Sequence, residues 1–258
     1  MPPRKSTKRK LESSPALISK EDASAIISQL LKSHQKYYDK FTKEVARNDK
    51  LVPLDKWRNE FPETLKERYN TDPKSLLLTK PELIRLMDWK LTKGKFRPTL
   101  FKLLNQNSEE SIETATKDGF AQFLELKDSE EVTKDEYLTI TKKSIQTLST
   151  LRGIGPATAS LMLSLLSSIT NLAPPFFSDE SAEWTFVKIR GTEVEKLKYS
   201  IGEYMEYVEW WFDLIGPKFK ECGALLEQGA WCERLKDLGM SGDDDDDIAR
   251  DIKKQKTE

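Results

Sequence analysis

The sequence predicts an all-α protein, and three observations favour this fold class. Apolar residues recur at helical spacing through most of the chain, and Thr-x-x-Glu capping patterns precede several of these stretches. No stretch alternates apolar and polar residues for the length of a convincing β-strand. We therefore expect one continuous helical domain over residues 19–240, between a disordered basic tail at 1–18 and a disordered acidic tail at 241–258.

Five helices are predicted before residue 130, at about 21–47, 61–69, 79–91, 98–104 and 108–126. The third has the sharpest start, because Thr79 and Glu82 form a capping-box pattern with Pro81 inside it. The remainder of residues 48–78 is expected to be irregular chain. A basic segment, KGKFRP at 93–98, separates the third helix from the fourth.

Five more helices are predicted after residue 130, at about 134–150, 156–169, one that starts near 180, 192–212 and 221–238. Capping-box patterns open the first of them, at Thr133 and Glu136, and the fourth, at Thr192 and Glu195. A loop with two prolines, NLAPPFFSDE at 171–180, connects the second and third. Most aromatic residues of this half are expected to pack in the core, namely Trp184, Tyr204, Tyr207, Trp210 and Trp211.

Composition limits the class of protein. No apolar run reaches transmembrane length and the N-terminus lacks a signal-peptide core, so we expect no membrane association. Two cysteines, Cys222 and Cys232, argue against a disulfide scaffold and, with the single distant histidine His34, cannot form a zinc site. Because the net charge is −1, any binding of nucleic acid would depend on a local basic patch.

The two tails carry opposite charge. Residues 1–10 include five basic residues and no acidic one, whereas residues 243–247 are five aspartates. The basic cluster fits a nuclear import signal or a DNA-tethering arm and predicts a nuclear location, with a merely soluble tail as the alternative. The aspartate run mimics nucleic-acid charge, binds a basic partner or folds back on the basic N-terminal arm, with a solvated tail as the alternative.

The most informative motif is LRGIGPATAS at 151–160. Gly153 and Gly155 bracket Ile154 between two predicted helices, and Pro156 suits the first position of the second helix. The free amide groups at such a helix start can hold an anion such as a DNA phosphate. A plain tight connection between helices is the alternative.

These positions resemble the signature of the helix-hairpin-helix DNA glycosylase superfamily, which includes endonuclease III, the adenine glycosylase and the alkyl-base glycosylases. The signature is a Leu-x-Gly-[Val/Ile]-Gly hairpin, a helix with Thr-Ala, and a loop that delivers an aspartate. The matching residues, which span about 30 positions, are Leu151, Gly153, Ile154, Gly155, Thr158, Ala159 and Asp179.

The resemblance implies a multi-helix DNA-glycosylase-like fold that binds DNA, with phosphate held at the hairpin amides together with a monovalent cation. Bifunctional members carry a lysine where this chain has Ala157, so the resemblance implies a monofunctional glycosylase without that lyase lysine. The two cysteines are too few for the iron–sulfur cluster of some members, and no cofactor is expected.

The resemblance implies a catalytic role for Asp179, and the acidic and basic residues near it in the sequence add further candidates. Asp179 is the expected catalytic carboxylate, with Glu180 as the reserve and Glu183 as a weaker candidate. Such a carboxylate stabilises the positive charge that develops on the sugar and orients water. Asp179 acting only as the cap of the helix near 180 is the alternative. The predicted DNA contacts are Arg152, Gly153, Ile154 and Gly155 in the hairpin and Lys93, Lys95 and Arg97 in the basic segment.

Three functions remain open from the sequence. The first is a monofunctional DNA glycosylase that hydrolyses a base–sugar bond with Asp179. The second is a non-catalytic relative that binds DNA through the hairpin. The third is an all-α interaction module in which the glycine motif is only a turn, and in which the basic segment is a solvated turn between helices.

Overall fold

The computed structural model describes residues 18–46, 48–126, 131–194, 196–216 and 223–241. These residues form ten α-helices and two short 3₁₀ turns and contain no strand, which confirms the all-α class. Most of the predicted basic tail at 1–18, and the aspartate run at 243–247, lie outside the described residues. The helices are α1 (Lys20–Glu44), α2 (Leu51–Thr71), α3 (Lys80–Lys93), α4 (Pro98–Asn105), α5 (Glu109–Phe123), α6 (Lys134–Leu148), α7 (Pro156–Ser164), α8 (Asp179–Arg190), α9 (Ile201–Ile215) and α10 (Gly223–Asp237).

Helix α2 corrects the prediction that residues 48–78 are mostly irregular. It is 21 residues long and contains Pro62 in its interior, where proline removes one backbone hydrogen bond. Leu51, Phe61 and Leu65 are buried in the core, and their burial outweighs the weak local helix propensity. The short predicted helix at 61–69 is therefore the second half of a much longer one.

Helix α9 starts later than predicted. The chain has two Ser/Thr-x-x-Glu patterns in this region, and the structure uses the second, in which the Ser200 hydroxyl accepts a hydrogen bond from the Glu203 amide at 3.2 Å. The Glu203 carboxylate also accepts a hydrogen bond from the Lys198 amide at 2.8 Å. Helix α8 ends at Gly191 in the left-handed conformation, so the predicted start at Thr192 is wrong.

Helices α1 and α10 pack with their backbones in close contact. A Cβ atom added at Gly229 would lie 2.2 Å from the carbonyl oxygen of Leu30, so only glycine fits there. Beside this contact the buried Glu233 carboxylate accepts hydrogen bonds from Ser33 and Gln29 of α1. The pairing of α1 with α10 thus joins the two ends of the described chain.

Helix α7 is the most deeply buried helix, and its residues from Ala157 to Ser164 are all buried. A 3₁₀ turn at Leu165–Ser168 follows it, where the sequence predicted helix to about 169. Around α7 the core is aromatic, and the expectation that the aromatic residues of this half pack inside is confirmed. The buried set is Trp184, Tyr204, Tyr207, Trp210 and Trp211. In the described ranges no helix is both long and apolar enough to cross a bilayer.

Candidate functional site

The glycine turn, residues 151–155, connects α6 to α7 and packs against α4. Gly153 has φ 80°, and a Cβ atom there would lie 3.0 Å from the Leu100 carbonyl oxygen and 3.1 Å from Leu103 Cβ. Glycine is therefore required both by the backbone conformation and by the close approach of α4. Asn107 holds the turn, because its side chain accepts from the Arg152 amide at 2.9 Å and donates to the Arg152 carbonyl at 3.0 Å.

Two residues of the glycine turn, Arg152 and Gly155, face solvent. Gly155 is exposed, its backbone is extended, and nothing lies within 4 Å of a Cβ atom built on it. Its amide makes no hydrogen bond with any residue in the described ranges. Arg152 is also exposed and donates to the Gln106 side-chain oxygen at 2.9 Å. Gly155 and Arg152 are thus open to a ligand at the start of α7.

Ile154 has a different place from the one predicted for it. Its side chain is buried in the core, and its amide donates to the Leu151 carbonyl within the turn at 3.1 Å. Neither its side chain nor its N–H is directed to solvent. The structure therefore assigns Ile154 to packing, and this corrects its expected role as a DNA contact.

Asp179 is the first residue of α8 and is not its cap. Ser178 is the N-cap: its hydroxyl accepts from the Ser181 amide at 3.3 Å and donates to the buried Glu227 carboxylate at 2.6 Å. The capping alternative for Asp179 is therefore wrong, and its carboxylate interacts instead with the Tyr199 hydroxyl. The Asp179 side chain is 16% exposed and lies 3.7 Å from the Lys95 ammonium.

Helix α7 connects the glycine turn to the loop that precedes Asp179. Pro156 begins α7 beside the turn, and one turn later the Ser160 hydroxyl accepts a hydrogen bond from the Phe177 amide at 3.0 Å. Tyr207 donates to the Phe176 carbonyl at 2.9 Å, which fixes the loop from the other side. The positions of Gly155 and Asp179 are thus set by the same buried helix.

Asp179 lies in the wall of a cavity that is formed by α1, α2, α3, α8 and α10. The aromatic rings of Trp89, Phe176 and Trp231 form part of its lining. Charged side chains form much of the rest, among them Lys90 of α3, Glu180 of α8 and Glu227 of α10. Arg58 of α2 also lines the cavity. Arg58 and Lys90 were not predicted from the sequence, because neither lies near the glycine motif in the chain.

The three basic residues of the basic segment have two different environments, and Lys93 corrects its predicted role. Lys93 is the last residue of α3, and its side chain is only 10% exposed. Its ammonium donates to the Tyr38 hydroxyl at 2.6 Å and to the Asp55 carboxylate at 3.2 Å. Burial alone would lower the pKa of Lys93, but Tyr38 and Asp55 hold it above its ordinary value. Lys93 is therefore an internal ion-pair residue and not an exposed phosphate contact.

Lys95 and Arg97 form the rim of the cavity, with Phe96 between them. Lys95 is 65% exposed, and the guanidinium of Arg97 lies 4.8 Å from the ring centre of Tyr199. Phe96 is 63% exposed, which is unusual for a large apolar side chain. Helix α4 begins directly after this rim, and the glycine turn packs along its side, with Gly153 close to Leu100 and Leu103. The rim and the turn are therefore both positioned by one short helix.

Glu180 shares the cavity with Asp179 but is in a drier environment. Burial raises the pKa of Glu180 to about 7, with the neighbouring Asp179 and Glu183 carboxylates adding to the effect and Lys93 opposing it. At neutral pH this carboxyl is thus partly protonated. A protonated Glu180 can donate a hydrogen bond, which an ionised carboxylate cannot do.

We predict that the substitution Glu180→Gln stabilises the protein at pH 8. From pH 4.5, the ordinary pKa, to about pH 7, the pKa in the folded protein, Glu180 binds more protons in the folded state than in the unfolded chain. The free energy of unfolding therefore falls as the pH rises through this range. The variant should gain up to about 3 kcal/mol at pH 8 and nothing near pH 4. Urea unfolding of both proteins across this range measures the difference, and a gain that does not change with pH contradicts the shift.

No group of three or more His, Cys, Asp or Glu side chains suited to a metal ion occurs in the described ranges. Cys232 is buried and unpaired, and burial raises the pKa of its thiol to about 12, so it is not a reactive thiolate at neutral pH. No protein-family model matches the chain, and neither a curated protein nor a solved structure matches it.

Proposed function

We propose that the protein binds DNA and hydrolyses the bond between a base and its sugar in the cavity beside Asp179. One observation carries this proposal. Ser178 caps α8, so Asp179 is not needed as the cap, and its partly buried carboxylate lies in the cavity wall. The basic residues of the rim directly precede α4, and the unpaired amide of Gly155 directly precedes α7. This carboxylate, the basic side chains and the backbone amide together suit the binding of a negatively charged nucleotide strand.

The chemistry asked of Asp179 is electrostatic. As the base leaves, positive charge develops on the sugar, and a carboxylate held beside it lowers the energy of that state. The same carboxylate orients the attacking water. The rings of Trp89, Phe176 and Trp231 offer an apolar lining for a planar base that has left the helix stack. Lys95, which lies against Asp179, would be drawn to a DNA phosphate and would open the rim.

Affinity for the strand would come from a few phosphate contacts. The Gly155 amide and the exposed Arg152 offer one site, and Lys95 and Arg97 offer a second just before the start of α4. Each neutralised phosphate adds about −0.9 to the salt slope of log K, so two or three contacts give weak and clearly salt-dependent binding. The exposed ring of Phe96, between Lys95 and Arg97, can stack on a base at the second site. A nuclear location, from the basic cluster at 1–10, belongs to the same proposal.

The direct test is release of a base. The purified protein is incubated with a panel of duplexes that each carry one damaged or mispaired base, and the free base is separated and quantified. Release from one of these duplexes supports the proposal. Salt-dependent DNA binding without release from any of them favours the non-catalytic DNA-binding alternative, and neither binding nor release favours the interaction module.

We predict that Gly155→Leu weakens DNA binding about 10-fold, which corresponds to about 1.4 kcal/mol, without unfolding the protein. The fold should tolerate the side chain because the Gly155 backbone is extended and open space surrounds it. The added bulk would cover the amide that we assign to a phosphate. Fluorescence anisotropy with a labelled duplex measures the loss, and the salt slope should also fall by about 1.

The matched control is Gly202→Leu, the same change at an exposed glycine of α9 whose Cβ would have ordinary contacts. This variant should bind DNA like the unmodified protein. Equal affinity of the Gly155→Leu variant would remove the glycine turn from the DNA surface.

A further inference from the structure

Four lysines form a stripe along one face of α1, because successive members are three or four residues apart. The members of this lysine stripe are Lys32, Lys36, Lys40 and Lys43. All four are exposed, and the one acidic residue among them is Asp39. Tyr38, which lines the cavity beside Asp179, lies two residues after Lys36 and therefore points about 160° away from it. The lysine stripe thus faces away from the cavity.

Helix α10 adds a fifth lysine to this surface. The Lys236 ammonium lies 5.0 Å from the ring centre of Tyr37, and the Lys36 ammonium lies 4.9 Å from the same ring centre. A shallow groove between α1 and α10 is lined by Lys32, Lys36 and Lys236. Its carboxylate, Glu233, is buried and already accepts a hydrogen bond from Lys236 at 3.0 Å. The surface therefore keeps a net positive charge.

Helices α1 and α10 run in the same direction. Gly229 lies against Leu30, and seven residues later in both helices Lys236 lies over Tyr37. The last turn of α10 is therefore close to the last turns of α1, where the lysine stripe ends.

A Schellman turn ends α10 and fixes the point at which the chain leaves the helix pair. Gly239 has φ 94°, and the Met240 amide donates to the Leu235 carbonyl at 3.0 Å. The Met240 side chain packs against the cluster that contains Tyr37. Two residues separate Met240 from the aspartate run at 243–247, so the first aspartate lies within about 10 Å of Met240.

We propose that the aspartate run 243–247 binds the lysine stripe of the same chain. Five extended residues span about 16 Å, which is also the distance along the helix axis from Lys32 to Lys43. The five carboxylates can therefore reach the ammonium groups of the stripe in one extended passage. Because so short a segment tethers the run to α10, its effective concentration at the stripe is on the order of 1 mM.

The bound run would shield α1 from other polyanions. A single exposed ion pair is weak and is screened by salt, so several pairs and the short tether are both needed for binding. An uncovered lysine stripe would attract DNA of any sequence. With the run in place, contacts to DNA are limited to other surfaces of the protein. Binding of the run to α1 requires neither base release nor the glycine turn, so it goes beyond the proposed function.

The test is cross-linking of the full chain with a carbodiimide, which joins a carboxylate to an amine in direct contact and adds no spacer. At low salt, peptide mapping should find cross-links within one chain between the aspartate run and the lysine stripe. Their yield should fall at least about 5-fold in 1 M salt, where charges are screened beyond about 3 Å.

Three results of this experiment would overturn the proposal. The first is the absence of cross-links to the stripe. The second is a run that cross-links mainly to other lysines, such as those of the basic cluster at 1–10 or the exposed Lys117 of α5. The third is cross-links that form only between two chains, which would assign the stripe to a second copy.

Variants of the full chain measure the effect of the run on DNA binding. The first variant carries Asp243→Asn, Asp244→Asn, Asp245→Asn, Asp246→Asn and Asp247→Asn. It should bind an undamaged duplex at least about 10-fold more tightly at low salt, because the stripe can then neutralise phosphates.

The control makes the same five changes in a chain without the stripe, which carries Lys32→Gln, Lys36→Gln, Lys40→Gln and Lys43→Gln. In this background the affinity should change less than about 2-fold. An equal gain in both backgrounds would be an effect of net charge alone and would overturn shielding by the run. Urea unfolding of each variant shows that the substitutions leave the fold intact.

Failure of run binding and failure of the proposed function can be told apart. A protein that gives stripe cross-links but releases no base supports binding of the run and overturns the hydrolysis. A protein that releases a base and gives no stripe cross-links does the reverse.

Discussion

The substitution Asp179→Asn should reduce base release about 100- to 1000-fold while binding of the same duplex is kept. Asparagine has the shape of aspartate but no charge, so it cannot stabilise the cation that develops on the sugar. Folding should be unaffected, because Ser178 and not Asp179 caps α8. Removal of a negative charge beside Lys95 should strengthen binding to a phosphate chain. Single-turnover base release and fluorescence anisotropy measure the two effects separately.

The control is Asp135→Asn, the same substitution at an exposed aspartate in the first turn of α6. It removes an equivalent charge near a helix start but lies outside the cavity, so base release should not change. If Asp179→Asn releases base at the rate of the unmodified protein, Asp179 is not the catalytic carboxylate and the proposed chemistry fails.

The substitution Gly229→Ala should cost at least about 3 kcal/mol of the free energy of unfolding. Its Cβ would lie 2.2 Å from the Leu30 carbonyl oxygen and 2.7 Å from the Leu30 carbonyl carbon. Both are backbone atoms of α1 and cannot rotate away, so α1 and α10 must move apart. That movement also disturbs the hydrogen bonds from Ser33 and Gln29 to the buried Glu233. Urea denaturation gives the change in free energy.

Gly202→Ala is the matched control, because it places the same methyl group on a helical glycine with room for it. The nearest atom to the new Cβ is the Ser200 hydroxyl oxygen at 3.8 Å, an ordinary contact. This variant should be more stable by about 0.5 kcal/mol, since glycine in a helix loses more backbone entropy than alanine on folding. A loss below about 0.5 kcal/mol for Gly229→Ala would contradict the close α1–α10 contact.

The fold class and many of the helix starts could be predicted from the sequence because they depend on neighbours within four residues. The capping box of Thr79 and Glu82 and the cap at Thr133 open helices where the sequence placed them. The glycine turn follows from Gly153 and Pro156 by the same local logic. These features need only backbone geometry and one or two hydrogen bonds, which a short stretch of chain already specifies.

The site depended on tertiary packing. Lys90 and Lys93 look alike in the sequence, and only the position of Asp55 on α2 makes one an ion-pair residue and leaves the other free in the cavity. Asp179 and Ser178 are equally good caps by type, and the Ser178 hydroxyl is fixed in that role partly by Glu227 of α10. Burial and charge pairing at this cavity are set by helices that lie far apart in the chain. The sequence therefore determined the helices, and only their packing decided which side chains are free to react.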